Sequence, residues 1–505
     1  MIQTSIIANP NQNAKYVSYR LPGLIVTQKG TLISYWEART TTDDMDQMDL
    51  HISRSTDGGT TWSEPNCLAD GETYCAQYNG VQGEQTINNP VMIVGNDEKL
   101  HLLFSFDNGY SGLFYSVSDD DGVTWSTPIN IKSMLEIPSG YVRLSCGPTH
   151  GICMENGKLV VPIWLAPSDF TEYATYTLYS DDNGETWALG ARVADNLNET
   201  AIALLADGRV MLNSRQFHVP YTSNNPNGNK PEGEQDARRR VSISSTGIDA
   251  WSDTVIDTAL PDPACEGSMT SVALENDEHA VLFVNNNSTT DRKNLTIYCS
   301  FDDGTSWSKS ILLDAECGAY SDVAVGKDGT VYVVHESTVS GGYALELFRF
   351  SFEEAFGKKV ASEIDWSDFS FGTGYYQKGT VDGFSIRLVS EFKGDYTKLS
   401  KLGYEVTVNY KGQTESTTLE FNTLYTSLLA DGQRVYPITK DACFAAHGIS
   451  GLPTDAEILF SIRPYAVTLD NQTVYGAENS FKVRYMMNVI ASEDCLYTPW
   501  GVIWD

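Results

Sequence analysis

The stretch that decides the fold is STDGGTTW at residues 55–62, because the chain repeats its pattern of Ser, Asp, Gly, Thr or Ser, and Trp. Matching copies begin at Ser118, Ser180 and Ser300, and a degraded copy, SSTGIDAW, begins at Ser244. The starting serines are 63, 62, 64 and 56 residues apart. A period of this length indicates a repeated supersecondary unit.

Each copy has the chemistry of a turn between two strands. Asp accepts hydrogen bonds from nearby backbone amides, and Gly adopts the positive φ that a tight turn needs. The Trp is expected to pack the turn onto the apolar face of its hairpin, with its indole N–H bonded to a partner. The copies are therefore predicted to be structural. A calcium loop is the alternative for so many Asp residues, but the EF-hand spacing is absent from the sequence.

Residues 1–351 are predicted to form one all-β domain, a six-bladed β-propeller. Short apolar or alternating segments separated by Gly, Asp and Asn turns are typical of strands. Five turn motifs, one of them degraded, predict five four-stranded sheets, and residues 318–350 supply most of a sixth. The first strands of the chain would complete that sheet, which closes the ring and leaves few exposed edges.

The pattern changes after a linker predicted at residues 352–367. Residues 368–505 lack the turn motif and alternate polar with apolar positions, as at residues 404–410, which predicts a C-terminal β-sandwich. Residues 470–471 mark a hairpin, and Pro464 predicts that its strand lies at a sheet edge. No catalytic constellation is visible in this segment, so a spacer or packing module is favoured over carbohydrate binding.

Bulk composition excludes several classes of protein. A net charge of −32 argues against binding to nucleic acid or to an anionic membrane surface. The nine cysteines are dispersed, which does not predict a disulfide framework, and the seven histidines lack zinc-binding spacing. We therefore expect neither a metal nor a cofactor. No apolar run reaches the length of a membrane span, and no signal peptide is visible at the start.

Three arginines are candidates for binding an anionic group. Arg20 lies on the first predicted inner strand, Arg215 ends the strand that follows Gly208, and Arg292 precedes a strand that leads into a turn motif. Each alone is typical of a surface or ion-pair arginine. Since each belongs to a different repeat, the ring would bring them to one face. Guanidinium groups that converge there form a clamp for a carboxylate.

Three further side chains are candidates for a nucleophile, a base and an acid. Tyr320 begins the last repeat, Glu199 lies sixteen residues before Arg215, and Asp44 lies in the acidic loop of residues 42–49. Alone, the tyrosine is typical of core packing, and the acids are typical of a solvated loop or lid. Their functional interpretation depends on whether the ring brings them beside the arginines.

Together these motifs resemble those of bacterial exo-α-sialidases (neuraminidases) with Asp-box repeats. Residues 20–22, Arg-Leu-Pro, resemble the family's Arg-Ile-Pro motif. Residues 198–215 resemble its Asn-Glu…Asp-Gly-Arg…Arg segment, and residues 262–268, DPACEGS, resemble another family stretch. The resemblance covers residues 10–350. The combination is specific, whereas the turn motif alone also occurs in other propellers.

The resemblance implies a substrate-binding set. Arg20, Arg215 and Arg292 would bind the substrate carboxylate, and Glu336 would brace Arg20. Glu37 stands where relatives often have an Asp followed two residues later by Arg, and it would contact a ring hydroxyl.

The resemblance also implies a tyrosine nucleophile, Tyr320, with Glu199 as its base and Asp44 as the acid/base. Asp43 is the alternative for the last role, but Asp44 fits the family spacing better. A sialoside carries a carboxylate on its anomeric carbon, so a neutral phenol suits it better than an anionic nucleophile; sialidases are known as a tyrosine exception among glycosidases. A phenol with an ordinary pKa of about 10 needs activation by the base and a nearby arginine. Partial closure of this loop over substrate would raise the pKa of Asp44, and the reaction would retain anomeric configuration.

Two further features bear on substrate preference and source. The insert at residues 218–236, rich in Asn, Gly and Pro, is expected to form a rim that contacts the sugar beyond sialic acid. His150 would lie at the same rim or in an ordinary loop. Asn198 and Asn294 begin glycosylation sequons beside the candidate site, where a glycan would block the pocket, so we expect a bacterial protein. It would be secreted or cell-surface if a signal peptide has been removed, and cytoplasmic otherwise.

The expected partners are sialylated glycans of glycoproteins or glycolipids, hydrolysed by a monomer that binds no nucleic acid. A trans-sialidase, or a hydrolase of a related nonulosonic acid, would need the same clamp. A non-catalytic carbohydrate-binding propeller is the third interpretation. It is disfavoured because binding alone requires none of Tyr320, Glu199 and Asp44.

Overall fold

The structure is a computed structural model in which the chain divides into two compact units, Met1–Ala361 and Ser362–Asp505. It describes residues 2–44, 46–74, 86–107, 109–216 and 237–361 of the first unit. Of the second unit it describes residues 370–380, 383–393, 399–410, 412–421, 434–439, 442–452, 457–468, 473–476, 478–484 and 495–497. The expected rim insert at residues 218–236 lies outside the described residues.

The first unit contains six sheets, which we number as blades 1 to 6 along the chain. Blade 1 consists of Ser18–Val26, Leu32–Arg39, Met48–Ser55 and Asn66–Ala69. Blade 2 consists of Ile87–Val94, Leu100–Phe106, Gly112–Ser118, Ile129–Asn130 and Thr149–His150. Blade 3 consists of Arg143–Cys146, Ile152–Cys153, Leu159–Ala166, Ala174–Ser180, Ala188–Leu189 and Ala194–Asp195. Blade 4 consists of Leu197–Leu204, Val210–Gln216, Arg238–Ser244 and Val255–Pro261. Blade 5 consists of Ser268–Leu274, Glu278–Asn286, Leu295–Ser300 and Lys309–Asp314. Blade 6 consists of Ser321–Val325, Thr330–Val339, Gly342–Ser351 and Gln3–Ala8.

The blades close into a ring. Gln3–Ala8 pairs antiparallel with Gly342–Ser351, so the first strand of the chain completes the last blade. A cluster of buried apolar side chains lies between each pair of neighbouring blades, and one of these clusters joins Trp36 of blade 1 to Leu347 of blade 6. Each fully buried side chain of this size contributes about 1.5–3 kcal/mol. The prediction of a six-bladed propeller is confirmed.

In each of blades 1 to 5, the repeated turn motif follows the strand that ends at its first serine and leads to the next strand of the same sheet. In the first copy, the Gly59 N–H donates to Ser55 Oγ (2.9 Å), and Thr61 Oγ1 donates to Asp57 Oδ2 (2.6 Å). The copies that begin at residues 118, 180 and 300 repeat both bonds. The degraded copy keeps the bond from its glycine to its serine, Ser244 (2.8 Å), which explains why that copy still forms a turn.

The motif tryptophans pack as expected but do not bond as expected. Trp307 donates its indole N–H to Asp257 (2.8 Å). Within the described part of the chain the indole N–H groups of the other four motif tryptophans, at residues 62, 125, 187 and 251, are buried without a partner. The prediction of a partner for each indole is therefore wrong. Each motif tryptophan packs in or against the apolar cluster between its own blade and a neighbouring blade, and this packing, rather than the N–H, accounts for the recurrence of Trp at this position.

The predicted linker begins with a helix, Phe352–Phe356. Ser351 caps its start by accepting a hydrogen bond from the Glu354 N–H (3.3 Å), and Gly357 ends it at a φ of 81°. Phe352 and Phe356 are buried in the cluster between blades 5 and 6. This helix is therefore packed into the first unit.

The described residues of the second unit form two antiparallel sheets of five strands each. One sheet consists of Ser370–Thr380, Gly383–Lys393, Arg434–Thr439, Ala442–Leu452 and Cys495–Tyr497. The other consists of Leu399–Tyr410, Gln413–Phe421, Glu457–Thr468, Thr473–Tyr475 and Asn479–Arg484. Two antiparallel sheets agree with the expected all-β class, while their packing as a sandwich stays a prediction. Within the described ranges of the chain, no helix is both long and apolar enough to cross a bilayer.

The prediction that Pro464 lies on an edge strand is wrong. Its strand, Glu457–Thr468, pairs with Leu399–Tyr410 on one side and with two short strands on the other. One short strand pairs with residues 465–467 and the other with residues 457–462, so the proline lies where one partner ends and the next begins. A missing N–H is tolerated at such a gap.

Candidate active site

A pocket of about 790 Å³ opens at one end of the ring, and every blade contributes to its wall. Its lining residues are Arg20, Leu21, Glu37, Arg39, Asp44, Asn88, Asn89, Tyr110, Trp164, Asp169, Phe170, Tyr173, Asn198, Glu199, Arg215, Gln216, Pro263, Ala264, Thr290, Arg292 and Tyr320. Seven of the eight candidate residues from the sequence line this pocket. The eighth, Glu336, is fully buried behind Arg20.

Arg20 is directed into the pocket by an irregularity in the innermost strand of blade 1. The pairing of this strand shifts between Arg20 and Gly23, and Leu21 within the shift has a φ of 51°. A Cβ on Gly23 would lie 2.0 Å from the Tyr35 ring, so only glycine fits there. Arg20 Nε donates to Glu336 Oε1 (2.6 Å), which also accepts the Leu21 N–H (2.9 Å). Glu336 therefore fixes both the guanidinium group and the backbone beside it.

Arg215 and Arg292 reach the same place from blades 4 and 5. Arg215 Nη1 donates to the Tyr320 hydroxyl (3.1 Å) and lies 2.5 Å from Glu199 Oε2. The guanidinium carbons of Arg20 and Arg292 each lie 5.4 Å from the centre of the Tyr320 ring. The three predicted arginines thus surround one tyrosine, and the guanidinium N–H groups that do not bond the protein can bind a carboxylate there.

Tyr320 and Glu199 form a short hydrogen-bonded pair. The Tyr320 hydroxyl donates to Glu199 Oε1 at 2.5 Å, and the phenol ring packs against Leu21 and Cys265. Burial, followed by the charge of Glu199, raises the pKa of Tyr320 well above its ordinary value, although Arg215 and Arg292 act in the opposite direction. The arginines thus act as expected to lower the pKa of Tyr320, but burial and Glu199 outweigh them. The resting phenol is therefore neutral, and Glu199 is placed to accept its proton.

Asp44 lies at the mouth of the pocket with 71% of its side chain exposed. Its carboxylate contacts Arg39 Nη1 and lies 3.9 Å from Arg20 Nη1. Burial acts to raise the pKa of Asp44, but Arg39, Arg20 and Arg292 together lower it. Asp44 is thus ionised without a substrate, and the rise in its pKa expected when the loop closes over substrate stays a prediction. Asp43 is not among the described residues that line the pocket.

Glu37 uses its carboxylate to hold neighbouring protein groups. It is 1% exposed; one oxygen accepts Arg39 Nε (2.9 Å) and the other accepts the Asn89 N–H (2.8 Å). Arg39, two residues along the same strand, thereby points at Asp44. Sequence reasoning assigned no role to Arg39, although the alternation of a strand places it on the same face as Glu37.

Sequence reasoning also missed an aromatic wall. Tyr110, Trp164, Phe170 and Tyr173 line one side of the pocket, with the Tyr110 and Trp164 rings 5.0 Å apart and the Trp164 and Tyr173 rings 5.2 Å apart. They come from blades 2 and 3, and isolated aromatic residues in a sequence are indistinguishable from core residues. These rings give the pocket an apolar surface in addition to its charged residues.

Asn198 and His150 differ from their sequence interpretations. Asn198 Oδ1 accepts Arg215 Nε (3.1 Å), so this asparagine positions an arginine of the pocket. His150 does not lie at the rim among the described residues; its Nδ1 is 2.8 Å from the fully buried Asp322. That ion pair, which raises the pKa of His150 despite burial, connects inner strands beneath the pocket.

The described residues contain one group with metal-ligand chemistry, Asp49, His51 and Cys67, and it lies outside the pocket. The Asp49 carboxylate already accepts Lys15 Nζ (2.5 Å) and the Tyr16 hydroxyl (2.6 Å). A lysine ammonium already neutralises the charge of this carboxylate. These residues therefore fit a structural hydrogen-bond network better than a metal site.

Known proteins share this arrangement of repeats. A family model described as a BNR repeat-like domain matches residues 30–333. A sialidase of Bacteroides fragilis is 30% identical over 353 residues, which cover 64% of this chain and 60% of the relative. A sialidase of Micromonospora viridifaciens is 26% identical over 368 residues, which cover 66% of this chain and 52% of the relative. The chain thus spans between half and two thirds of the length of these relatives.

A solved structure is similar in fold. The Hadza microbial sialidase Hz136 superposes with a TM-score of 0.59 at 26% identity, covering 70% of this chain and 69% of that protein. The resemblance to sialidases that the sequence motifs carried is confirmed by these relatives.

Proposed function

The chain belongs to the family of the BNR repeat-like domain, and from this premise we propose that it is an exo-α-sialidase that hydrolyses terminal sialic acid from glycans with retention of configuration. The observation that carries the proposal is the tyrosine–glutamate pair, at 2.5 Å, enclosed by three arginines from three blades. Binding alone would need the arginines but not a base on the phenol.

The proposed ligand group is the carboxylate of the sialoside. Arg20, Arg215 and Arg292 carry three positive charges into the pocket of a protein whose net charge is −32. Such a local reversal of sign favours an anionic sugar over a neutral one. Glu336 and Asn198 hold two of these guanidinium groups in direction, so little side-chain entropy is lost on binding.

In the proposed first step the Tyr320 oxygen bonds to the anomeric carbon as the bond from that carbon to the leaving oxygen breaks. Glu199 accepts the phenol proton, and Asp44 donates a proton to the leaving oxygen. In the second step water attacks the anomeric carbon and gives its proton to Asp44. The bond to Tyr320 breaks, and its oxygen recovers the proton from Glu199. Two displacements at one carbon retain the configuration.

Asp44 must be protonated for the first step, and the substrate supplies a reason. The arginines lower the pKa of Asp44 in the empty pocket. A carboxylate bound to Arg20 and Arg292 offsets their charge and covers Asp44 from water, and both effects raise that pKa. Arg39, held by Glu37, keeps the carboxyl group at the mouth of the pocket.

Proton NMR of the sugar released from 3′-sialyllactose tests the proposal. The expected first product is the α-anomer of free sialic acid, which then mutarotates to the β-anomer. A β-anomer at first detection would contradict retention, and sialic acid transferred to added lactose instead of water would indicate a trans-sialidase. Binding of sialyllactose without turnover would indicate a carbohydrate-binding propeller.

A further inference from the structure

Residues 262–267, which connect blades 4 and 5, run beneath the pocket without having a role in the proposed chemistry. The Ala264 carbonyl accepts Arg292 Nη2 (3.2 Å) and, at a longer 3.5 Å, Arg215 Nη1. Cys265 packs against Tyr320. Glu266 Oε2 accepts the N–H of Ser321, the residue after that tyrosine (3.0 Å). One short segment therefore touches both arginines and the proposed nucleophile.

Glu266 is buried among charges that do not neutralise it. It is 2% exposed, and its second oxygen has no hydrogen-bond partner among the described residues. The charged groups that act on the pKa of Glu266 are Asp322 of blade 6 and Glu199 and Arg239 of blade 4. Arg239 is committed elsewhere: it donates to Asn213 and to the Cys265 carbonyl (2.9 Å). Asp322 is bonded to His150.

A second glutamate shows what Glu266 lacks. Glu336 Oε2 accepts the Tyr320 N–H (3.2 Å), so Glu336 and Glu266 hold the consecutive amides of Tyr320 and Ser321. Glu336 is paired with Arg20, whereas no arginine or lysine forms an ion pair with Glu266 in the described part of the chain. A buried carboxyl group without a cationic partner is more stable protonated. Burial raises the pKa of Glu266 well above its ordinary value; the Ser321 N–H opposes this, and Asp322 and Glu199 reinforce it.

We propose that Glu266 is a positioning residue that holds the Tyr320–Ser321 backbone in its neutral form, and that its ionisation sets the upper pH limit of the enzyme. An ionised Glu266 would be a buried charge without a cationic partner, so its ionisation favours a displaced arrangement of the Tyr320–Ser321 backbone that it holds. A displaced Tyr320 would lose its alignment with Glu199 and with the arginines, and activity would fall. The consequence for activity rests on the proposed sialidase function, while the neutral state of Glu266 does not.

The first test compares the parent protein with Glu266→Gln, because glutamine matches the neutral acid in shape and still accepts the Ser321 N–H. The substrate is an activated aryl sialoside, whose leaving group needs little help from Asp44. We expect equal kcat/KM at acidic pH. Where the parent loses about tenfold per pH unit on its alkaline limb, the variant should retain its activity. Glu155→Gln, on the surface, is the matched control and should leave the profile unchanged.

The second readout is stability, which does not depend on catalysis. A carboxyl group whose folded pKa is raised contributes full stability below its unfolded pKa, and this contribution is lost as pH rises through the folded value. The difference in Tm between Glu266→Gln and the parent should therefore be small at pH 4 and increase in favour of the variant toward pH 8. Glu155→Gln should show no such trend.

Superimposable pH–rate profiles would overturn the proposed pH limit, and a difference in Tm that does not change with pH would overturn the neutral state of Glu266. A folded Glu266→Gln that is inactive at every pH, or one that fails to fold, would show that the ionised form is required and would also contradict the proposal. If the parent itself cleaves no sialoside, the proposed function fails, and the Tm series still decides whether Glu266 is neutral.

Discussion

The turn motifs and the pocket both contain acidic side chains, but the hydrogen-bond partners of these side chains differ in their distance along the chain. In the turns, each Asp is exposed or half-buried and accepts hydrogen bonds from groups within four residues, as Asp120 does from Thr124. In the pocket, the acids are bonded across the ring: Glu336 to Arg20, 316 residues away, and Glu199 to Tyr320, 121 residues away. The first arrangement forms wherever the motif occurs, whereas the second requires all six blades to be assembled.

The difference shows that local contacts in the turns contribute to stability, whereas contacts between distant residues in the pocket determine the protonation states of its side chains. A turn carboxylate is stabilised in its ionised form by local donors, so the pKa of Asp120 falls to about 2. In the pocket, burial raises the pKa of Tyr320, whereas for Asp44 the charges of Arg39, Arg20 and Arg292 outweigh burial and lower the pKa. Substitutions in the turns should therefore change stability but not rate, and substitutions at the mouth of the pocket should do the reverse.

The largest expected effect is on turnover. Asp44→Ala should lower kcat/KM for 3′-sialyllactose about 10²–10⁴-fold because the sugar leaving group loses its proton donor. An aryl sialoside with an activated leaving group should lose far less, and Asp43→Ala should be close to the parent with both substrates. Equal losses on the two substrates would contradict the role of Asp44, as would a larger loss in the Asp43 variant.

Glu336→Gln should lower both stability and substrate binding, because this residue belongs to a buried ion pair inside the pocket wall. Leaving Arg20 without its partner should cost about 3–5 kcal/mol of unfolding free energy and raise the KM for sialosides. Glu346→Gln in the same blade is the control: its partner His335 is 3.6 Å away and Glu346 is partly exposed, so about 1 kcal/mol or less is expected. Chemical denaturation measures the unfolding free energy of both variants. Equal losses would refute the claim that Glu336 contributes more to stability than Glu346.

A turn substitution should lower stability alone. Ser180→Ala removes the acceptor of the buried Gly184 N–H (2.8 Å) and one donor to Asp182, which should cost about 1–3 kcal/mol. The values of kcat and KM should match the parent at a temperature where both proteins are folded. A change in kcat would mean that the turns and the pocket are coupled.

The smallest expected effect is a pH signature of one turn. Hydrogen bonds from the Thr124 hydroxyl and amide lower the pKa of Asp120 from 3.8 to about 2, so its contribution to stability is present above pH 3.8 and is lost as pH falls through 2. Asparagine resembles the protonated acid in shape. Calorimetry should therefore find Asp120→Asn less stable than the parent above pH 4, with the difference vanishing near pH 2. A difference that persists at pH 2 would contradict this assignment.

Sequence reasoning reached the ring and much of the pocket for physical reasons that differ. The turns were predictable because serine, aspartate and glycine act within eight residues. Arg20, Glu199 and Tyr320 required family motifs, since nothing local distinguishes them from surface or core residues. Arg39 and the aromatic wall were missed because their meaning arises only when blades 1 to 3 meet. The prediction that Pro464 lies on an edge strand was wrong because its strand is paired on both sides, and the missing N–H lies at a gap between two short partner strands.

The most direct test of the account is to trap the covalent intermediate. Incubation with 2,3-difluorosialic acid, followed by intact mass and peptide mapping, should show one added sugar on the peptide that contains Tyr320, and Tyr320→Phe should acquire none. An adduct on another residue, or full turnover of sialyllactose by Tyr320→Phe, would contradict the claim that this phenol is the nucleophile at the centre of the ring.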